Sequence, residues 1–481
     1  MLSMKLSKSL LVFLIFPFAN LHSQKNISIE EILETMIYKT DEYNTIQKNS
    51  IIQNEEYNII NNNFLPKIAL ELNVPNYDHS INVITQPNGD NIFIDRQQAN
   101  SSMVFDISQP IFFSGGYFNI KSSLNRVDLI SRKQVEYSSN WFNIGFVQPI
   151  NGYNQFKWMK KINESSYDFN KAEQIRKIEN LRIEIIERYF EVLILQLKIE
   201  LTTKNIELKE EKIKNSTALF ENGRILEAEL FQEKISLNQL KITLEQQKNQ
   251  YEIEINKFKN ILNIGNSDLV LTKPQDIGFH NFNVSLLKEK IKKYGIDIYF
   301  KTDHLQAESE YNKAKSERGV QINLQLAYGT NSVNNSLDGL FEIPSKREYA
   351  NLNLKIPILN WNENKRKMII AKEKMEIIEN NMKISSEELD VKVFETINYM
   401  KSLESQNDIF LQNIELLQKN IDVVKNLYKY NRITLSEFDY QIFNEQTIKV
   451  DYLNNLKTIW LNRYLLRKLT LYDFYLSKEL L

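Results

Sequence analysis

Hydrophobic residues in this sequence recur with two different periods, and the longer period marks the helices. In three stretches an apolar or aromatic residue returns every seven positions with a single polar exception, which is the pattern of long helices packed in coiled coils. The positions are Ile178, Ile185, Val192, Ile199, Ile206, Ile213 and Phe220, then Leu230, Leu237, Leu244, Tyr251 and Phe258, and then Val393, Met400, Asn407, Ile414, Ile421 and Tyr428. The pattern predicts two long helices, 156–221 and 362–429, and two return helices, 225–263 and 434–475.

The shorter period is two residues, and it predicts strands. In region 67–149, Met103, Phe105 and Ile107 alternate with polar residues, and the stretches "QINLQLAY" and "YANLNLKIPIL" alternate still more regularly. They predict strands 320–328 and 348–358. Aliphatic residues on one face and Asn, Gln and Lys on the other favour a barrel wall between lipid and water, although a half-buried strand in a soluble domain has a similar pattern.

An internal repeat relates the two halves of the chain. An offset of 208 residues aligns "LFENGRILEAEL" at Leu219 with "LYKYNRITLSEF" at Leu427, and it also aligns Pro149 with Pro357. The repeat predicts two helix-strand-strand-helix units, 25–282 and 283–481, whose first helices are 28–65 and 284–318, with a connector at 264–282. The first strand region contains an additional strand end at Pro110, so we expect an added hairpin that either widens the barrel or projects outside the cell.

The repeated motif interrupts helical sequence, so it predicts the tip of a helical hairpin in each repeat. Gly223 and Asn431 are suited to the chain reversal. Carboxylates then begin the returning helices at Glu229, Glu437 and Asp439. Two interpretations remain open, because the helix dipole favours acidic residues at such positions, whereas in a closed oligomer these carboxylates would form a ring of negative charge at a narrow mouth.

Composition excludes several classes of function. The formal net charge of −1 gives no attraction to nucleic acid, and the absence of Cys excludes thiolate chemistry and a lipid-acceptor cysteine. The four His residues are scattered, and no set of titratable groups converges, so we expect no catalytic residues, no metal, no cofactor and no enzyme. Residues 1–24 have the pattern of a secretory signal peptide, with a membrane anchor as the alternative.

The membrane hypothesis also requires an oligomer. Four strands, or six with the added hairpin, are too few to close a barrel, because about eight is the practical minimum. An open sheet edge is not stable in lipid, so several chains would have to share one barrel.

These features together resemble the TolC-like family of outer membrane efflux proteins, in particular the strand-end motifs at Pro110, Pro149 and Pro357 and the two tip motifs. The resemblance implies a mainly α-helical fold with a transmembrane β part, in which two repeats form long antiparallel coiled coils and an oligomer shares one β-barrel. It implies a homotrimer in the bacterial outer membrane, in contact with lipid, with its helices in the periplasm. It also implies a periplasmic adaptor protein and an inner-membrane transporter as partners.

The resemblance places two kinds of site at the tips. Asp439 aligns with an aspartate that constricts the channel entrance in the family, and a second such position falls near Ser436, with Glu437 alongside and Glu229 as the first-repeat counterpart. Residues for adaptor docking are Gly223, Arg224, Ile225, Asn431, Arg432 and Ile433. Tyr430 and Asn431 replace the family's usual small residue and glycine, which leaves the docking contacts at the second tip open.

The sequence therefore favours an outer-membrane channel of a tripartite efflux or type I secretion system, through which cargo from an inner-membrane pump leaves passively. The alternative is a periplasmic coiled-coil adaptor or structural rod, in which the strands form a small soluble domain. Neither the seven-residue nor the two-residue pattern identifies the cargo.

Overall fold

The computed structural model describes residues 25–265, 269–275, 283–342, 344–430 and 432–481. The predicted signal peptide, Asn431, His280 and parts of the connector lie outside these residues. The helices are α1 (Ile29–Glu31), α2 (Asp41–Asn62), α3 (Gln155–Glu221), α4 (Glu227–Ile261), α5 (Val284–Lys290), α6 (Ile298–Arg318), α7 (Glu363–Lys429) and α8 (Leu435–Thr470). The strands are β1 (Lys25–Ile27), β2 (Lys67–Thr85), β3 (Asn91–Ile111), β4 (Gly116–Leu129), β5 (Gln134–Pro149), β6 (Leu269–Leu271), β7 (Gln321–Asn334), β8 (Ser345–Lys355), β9 (Tyr472–Asp473) and β10 (Lys478–Glu479).

The internal repeat is visible in the helices themselves. Helices α3 and α7 each contain 67 residues, and both their first and last residues are related by the same offset of 208. Each is followed by a short turn and a return helix, α4 or α8. No helix in the described part of the chain combines the length and the apolar composition that a membrane crossing requires.

The chain divides into two compact units that do not coincide with the two repeats. One unit comprises Met1–Asn44, Asn180–Phe279 and Met400–Tyr464, and the other comprises Thr45–Glu179, His280–Tyr399 and Leu465–Leu481. The units cut across the repeats because α3 and α7 each contribute residues to both.

In the first unit, a small parallel ladder fixes the beginning of the described chain against α3. Strand β1 pairs with β6, in the register of Ile27 opposite Leu271. The buried hydroxyl of Tyr189 on α3 donates to the carbonyl oxygens of Ile27 and Thr272, so one side chain connects both strands to the helix. Burial raises the pKa of this phenol well above its usual range, which keeps the hydroxyl protonated as a donor.

The helix predicted at 28–65 is interrupted, and the prediction of one continuous helix was wrong. A π-helical turn, Ile32–Met36, and a 3₁₀ turn, Ile37–Lys39, follow α1, and the backbone is extended at Thr40. Thr40 is fully buried, and its hydroxyl oxygen accepts a hydrogen bond from the backbone N–H of Tyr43, so it caps the start of α2. The signal was present in the sequence, because a threonine followed by two acidic residues is a helix N-terminus.

The predicted first helix of the second repeat, 284–318, is also not regular throughout. The π-helical segment Ile291–Asp297 separates α5 from α6. In the second unit, Tyr294 of this segment packs in an apolar cluster with Ala172 and Leu471, and its backbone carbonyl accepts a hydrogen bond from the guanidinium of Arg176. A π-helical turn locally widens the helix and changes the direction of the side chains that follow it. Seven-residue periodicity in the sequence does not reveal such a turn.

Six strands of the second unit form one antiparallel sheet in the order β2-β3-β4-β5-β7-β8. The predicted strands 320–328 and 348–358 correspond to β7 and β8, which pair from Gln321 opposite Lys355 to Asn331 opposite Ser345. Four of the six strands come from the first repeat, so the added hairpin lies within the sheet. Beyond Gln98, β3 has no pairing with β4, and the end of the β2–β3 hairpin extends past the rest of the sheet.

A buried ion cluster holds the last residues of the chain in the second unit. The guanidinium of Arg467 contacts the Glu179 carboxylate at 3.1 Å and donates to the Asp473 carboxylate at 2.6 Å. Both carboxylates are almost fully buried. Lys290 pairs with Glu479 at 2.5 Å, which raises the pKa of Lys290. These contacts connect the segment after α8 to α3 and α5.

The heptad stripe on α3 is only partly buried. Ile185, Val192 and Ile206 are buried, whereas Ile213 is half-exposed and Phe220 is exposed. Toward the tip the buried positions are mostly polar, and they are Thr202, Asn205, Lys209, Lys212 and Ser216. The shift follows from helix geometry, because an unsupercoiled helix rotates by about 20° per heptad relative to a strict seven-residue repeat.

Candidate functional site

The two predicted tips share one backbone hydrogen bond at positions related by the repeat. The N–H of Arg224 donates to the carbonyl of Leu219 at 2.9 Å, and the N–H of Arg432 donates to the carbonyl of Leu427 at 2.8 Å. Both bonds close a helix C-terminus in the same way, at positions related by the repeat. Gly223 has a φ of +70°, a conformation that an L side chain rarely adopts. The equivalent residue, Asn431, lies outside the described part of the chain.

The predicted docking residues divide into exposed and packed side chains. Arg224 and Arg432 are exposed, whereas Ile225 and Ile433 are half-buried. Ile433 packs against an apolar cluster at the second tip, whose centre is Tyr428 stacked on Phe438 with ring centroids 3.9 Å apart. Ile433 therefore holds the second tip turn in place, and the arginines are the groups accessible to a partner.

Asp439, the predicted entrance residue, binds the other repeat of the same chain. Its carboxylate lies 2.6 Å from the ammonium group of Lys209 and accepts a hydrogen bond from the Ser236 hydroxyl at 3.2 Å. Lys209 is on α3 and Ser236 on α4, so both partners belong to the first repeat. The Lys209 side chain is 3% exposed and the Asp439 side chain 40% exposed. The Asp439 charge is compensated, and the pair joins the two hairpins.

Glu437 has a different role in the structure, because it caps the start of α8. Its carboxylate accepts hydrogen bonds from the backbone N–H of Thr434 at 2.8 Å and from the Thr434 hydroxyl at 2.9 Å. The Glu437 N–H donates back to that hydroxyl at 3.2 Å, which completes a capping box. The backbone hydrogen bond, followed by the hydroxyl, lowers the pKa of Glu437 below its ordinary value. Ser436 and Glu229 are exposed in the first turns of α8 and α4.

Behind the ion pair lies a group of buried polar side chains that sequence reasoning missed. The ammonium of Lys212 lies 4.9 Å from the centre of the Tyr428 ring, and burial lowers the pKa of this lysine. Burial, together with the negative charges of Glu233 and Asp439, raises the pKa of Tyr428. Among the described residues, neither the Tyr428 hydroxyl nor one Glu233 carboxylate oxygen has a hydrogen-bond partner. Spacing along one chain carries no signal for these contacts, because each joins different helices.

A second ion pair between the repeats lies at the surface. Lys429 of α7 and Glu211 of α3 are 2.7 Å apart, and both side chains are about half exposed. Exposed pairs of this kind contribute little to stability, about 0–1 kcal/mol. Because the Lys209 ammonium is buried, removing its partner Asp439 should cost more than removing the partner of Lys429.

The strand-end prolines share a local arrangement in the first repeat. The side chain of Gln109, before Pro110, donates to the Phe64 carbonyl at 3.0 Å, and the side chain of Gln148, before Pro149, donates to the Ser114 carbonyl at 3.0 Å. Each glutamine thus fixes a strand end to a neighbouring chain segment. Pro357 lies two residues after Lys355, the last residue of β8.

One face of the six-stranded sheet is apolar and exposed. Strand pairing aligns one apolar residue from each of five successive strands, and these are Ile68, Ile107, Ile120, Ile144 and Tyr328. On the sixth strand, β8, the same row ends at Glu348. The neighbouring row, on the opposite face, contains polar or small residues, which are Ala69, Asp106, Lys121, Asn143, Gly329 and Arg347. Side chains on the apolar face of the edge strand β2 are largely exposed, with Ile68 at 66% and Leu72 at 62%.

The described residues contain no group of three or more His, Cys, Asp or Glu side chains arranged to hold a metal ion. The candidate sites are therefore the two tips and the two-faced sheet. Both sites consist of packing surfaces and charges.

Comparison with known proteins gives the fold. No protein-family model matches the sequence, and no curated protein matches it. Solved structures do match. The Campylobacter jejuni CmeC outer membrane channel superposes with a TM-score of 0.62 at 13% identity, over 92% of this chain and 85% of that one. The chain has the TolC-like fold.

Two further channels support the same conclusion. The open state of the Neisseria gonorrhoeae MtrE outer membrane channel gives a TM-score of 0.60 at 15% identity, over 92% of this chain and 88% of that one. The Vibrio cholerae outer membrane protein VceC gives 0.63 at 9% identity, over 92% and 95%. The family resemblance and the fold class predicted from the tip and strand-end motifs are confirmed, because long helices combine with a β domain in the TolC-like arrangement.

Proposed function

We propose that this chain is an outer-membrane channel and that it forms the passive exit duct of a tripartite efflux or type I secretion system. The observation that carries the proposal is the two-faced sheet. Four of the five residues in its apolar row are exposed and Ile107 is half-buried, whereas its other face is polar. A lipid-facing surface outside and a water-filled lumen inside require this division.

Strand length supports a membrane crossing. A tilted strand needs about 9–11 residues to cross the hydrocarbon core. The shortest strand of the sheet, β8, has 11 residues, and the longest, β3, has 21. All six strands are therefore long enough to cross the hydrocarbon core. Strands of this length are longer than a small soluble β-domain requires.

The adaptor or rod alternative is disfavoured by the same face. A soluble domain would have to cover the apolar row, because contiguous exposed apolar patches of this kind are rare on soluble monomers. Within the described chain, the helices of the second unit leave Ile68, Leu70 and Leu72 largely exposed. Lipid is the surrounding that makes this exposure favourable.

The open edges of the sheet support the homotrimer that the family resemblance implies. Among the strands that the structure describes, β2 and β8 each pair with one neighbour. Unpaired backbone groups are costly in lipid, so each edge requires another chain. We propose that three copies pair edge to edge in the outer membrane, with the helical part in the periplasm.

The tips supply the proposed contacts with the rest of the system. The exposed Arg224 and Arg432 side chains, at repeat-related turns, are suited to bind a periplasmic adaptor protein that connects the channel to an inner-membrane transporter. We propose that Asp439, with Glu437 and Ser436 near it on α8, belongs to the channel entrance. The Lys209–Asp439 pair would then hold the entrance hairpins together.

Cell fractionation tests the proposed location and assembly. We expect the expressed chain in the outer-membrane fraction, where detergent extracts it as an oligomer that runs intact on an unheated gel and dissociates on boiling. A chain recovered in the periplasm without detergent would contradict the proposal and would favour the adaptor or rod.

A further inference from the structure

We propose that the added hairpin of the first repeat is part of the membrane wall, so that each chain contributes six strands and a trimer closes a barrel of about eighteen strands. In this barrel, β8 of one copy pairs with β2 of the next. The inference rests on the proposed channel function and extends it to the width of the pore and to the surface between copies.

Hydrogen-bonded register places the added strands in the wall. Strand β2 pairs with β3 from Lys67 to Thr85, and β3 pairs with β4 from Gln98 to Ile111, in one sheet with β5, β7 and β8. A β2–β3 hairpin that projected out of the membrane would not pair with β4, whereas β3 pairs with β4 from Gln98 to Ile111.

The side chains of the added strands continue both faces of the sheet. On the apolar face, Ile68 and Ile107 extend the row that Ile120 and Ile144 begin. On the polar face, Asp106 lies opposite Lys121. A hairpin standing in water would gain nothing from an exposed aliphatic face, whereas a strand in the lipid-facing wall requires one.

The strand directions allow identical copies to close. The six strands follow one another in antiparallel order, so five reversals, an odd number, separate β2 from β8 and the two edge strands run in opposite directions. Strand β8 of one copy can therefore pair with β2 of the next in the antiparallel manner found throughout the sheet. Every edge in the assembly is then satisfied, which an open sheet in lipid would not be.

The width of the pore follows from the strand number. Barrel diameter grows roughly linearly with the number of strands. Without the added hairpin, each repeat would contribute two strands and each chain four. The diameter of the trimeric barrel would then be smaller by a factor of roughly 1.5. The wall with six strands per chain thus admits bulkier cargo, and barrels of 16–18 strands leave an open aqueous channel.

Disulfide crosslinking between copies distinguishes the two arrangements, and the chain is suited to it because it contains no native cysteine. Asn351→Cys on β8 would be combined with Ala69→Cys, Glu71→Cys or Asn73→Cys on β2. The matched controls combine it with Asn119→Cys, Lys121→Cys or Ser123→Cys on β4. All these positions lie on the polar face. Three neighbouring positions per strand allow for the unknown register between copies, because a disulfide requires Cα atoms within about 7 Å.

We expect oxidation of the outer-membrane form to link β8 with β2 in at least one variant, giving ladders of two and three chains and loss of most of the monomer band. Links between β8 and β4, with none to β2, would show a four-strand wall and overturn the proposal while leaving the channel function intact. Absence of any link in a membrane-inserted oligomer would overturn it as well. A chain that never enters the membrane fraction would instead contradict the proposed function.

Discussion

The Lys209–Asp439 ion pair gives the sharpest quantitative prediction, because its two partners differ so much in exposure. Two unit charges 2.6 Å apart attract by about 6 kcal/mol at an effective dielectric constant of about 20, before desolvation is subtracted. Removing one partner of a buried pair typically costs about 3–5 kcal/mol, because the other charge stays buried. Since the Asp439 side chain is 40% exposed, water screens it, and for Asp439→Asn we expect about 2 kcal/mol.

Hydrogen exchange measures this loss at the tip itself. A cost of about 2 kcal/mol in the local opening free energy corresponds to about 30-fold faster exchange of amides at the start of α8. The control is Glu211→Gln, which breaks the exposed pair with Lys429 and should accelerate exchange less than about fivefold. Adding Lys209→Met to Asp439→Asn should recover part of the loss, because the methionine leaves no buried charge.

The reasoning fails if Asp439→Asn and Glu211→Gln accelerate exchange equally, or if the double variant Lys209→Met/Asp439→Asn exchanges as fast as Asp439→Asn alone. Either result would mean that the Lys209 ammonium finds water or another carboxylate without opening the tip.

Three further predictions concern other parts of the molecule. The pKa of Glu437 is lowered from 4.5, so its stabilisation of the α8 start is complete above about pH 4.5 and is lost as pH falls through the lowered pKa. Hydrogen exchange of the amides at the start of α8, corrected for intrinsic rates, should show this acid dependence, and Glu437→Gln should abolish it. Ile144→Lys on the apolar face should reduce assembly into the outer membrane by about 2–4 kcal/mol. The adjacent Asn143→Lys, on the polar face, should assemble normally, and equal recovery of both on unheated gels would contradict the face assignment. Tyr189→Phe removes the donor of the Thr272 carbonyl, whereas the Ile27 carbonyl keeps the Thr272 N–H as a donor, and the change should cost about 1–3 kcal/mol in denaturant unfolding monitored by intrinsic fluorescence. An unchanged midpoint would refute the role of the hydroxyl.

Sequence periodicity identified most of the fold, because a long repeated pattern is a strong signal. The offset of 208 residues predicted two matching hairpins, and α3 and α7 begin and end at positions related by it. Alternation identified the strands at Met103 and Leu324, since an amphipathic strand needs a two-residue period whatever it packs against. Local departures were harder to predict. Thr40 interrupts the first helix with a cap that a search for apolar periodicity overlooks.

The contents of the tip were predictable only in part. Asp439 was identified as a candidate from its place after the motif, but its partner Lys209 lies on another helix, and a single sequence contains no record of which residues meet across helices. Lys209 lies outside the heptad stripe of α3, and its burial is not expected from sequence because lysine is usually a surface residue. The role of Glu437 was open between capping and a charged ring, and the contacts with Thr434 establish the capping.

Recording from planar lipid bilayers tests the channel function most directly. Purified oligomer, extracted from the outer membrane, would be added to one side of a bilayer at graded salt concentrations. We predict stepwise current increments that persist without added cargo, because a passive duct conducts ions whenever its entrance is open. Oligomer that partitions into the bilayer and yet produces no conductance steps, for the native chain and for Asp439→Asn alike, would contradict the account.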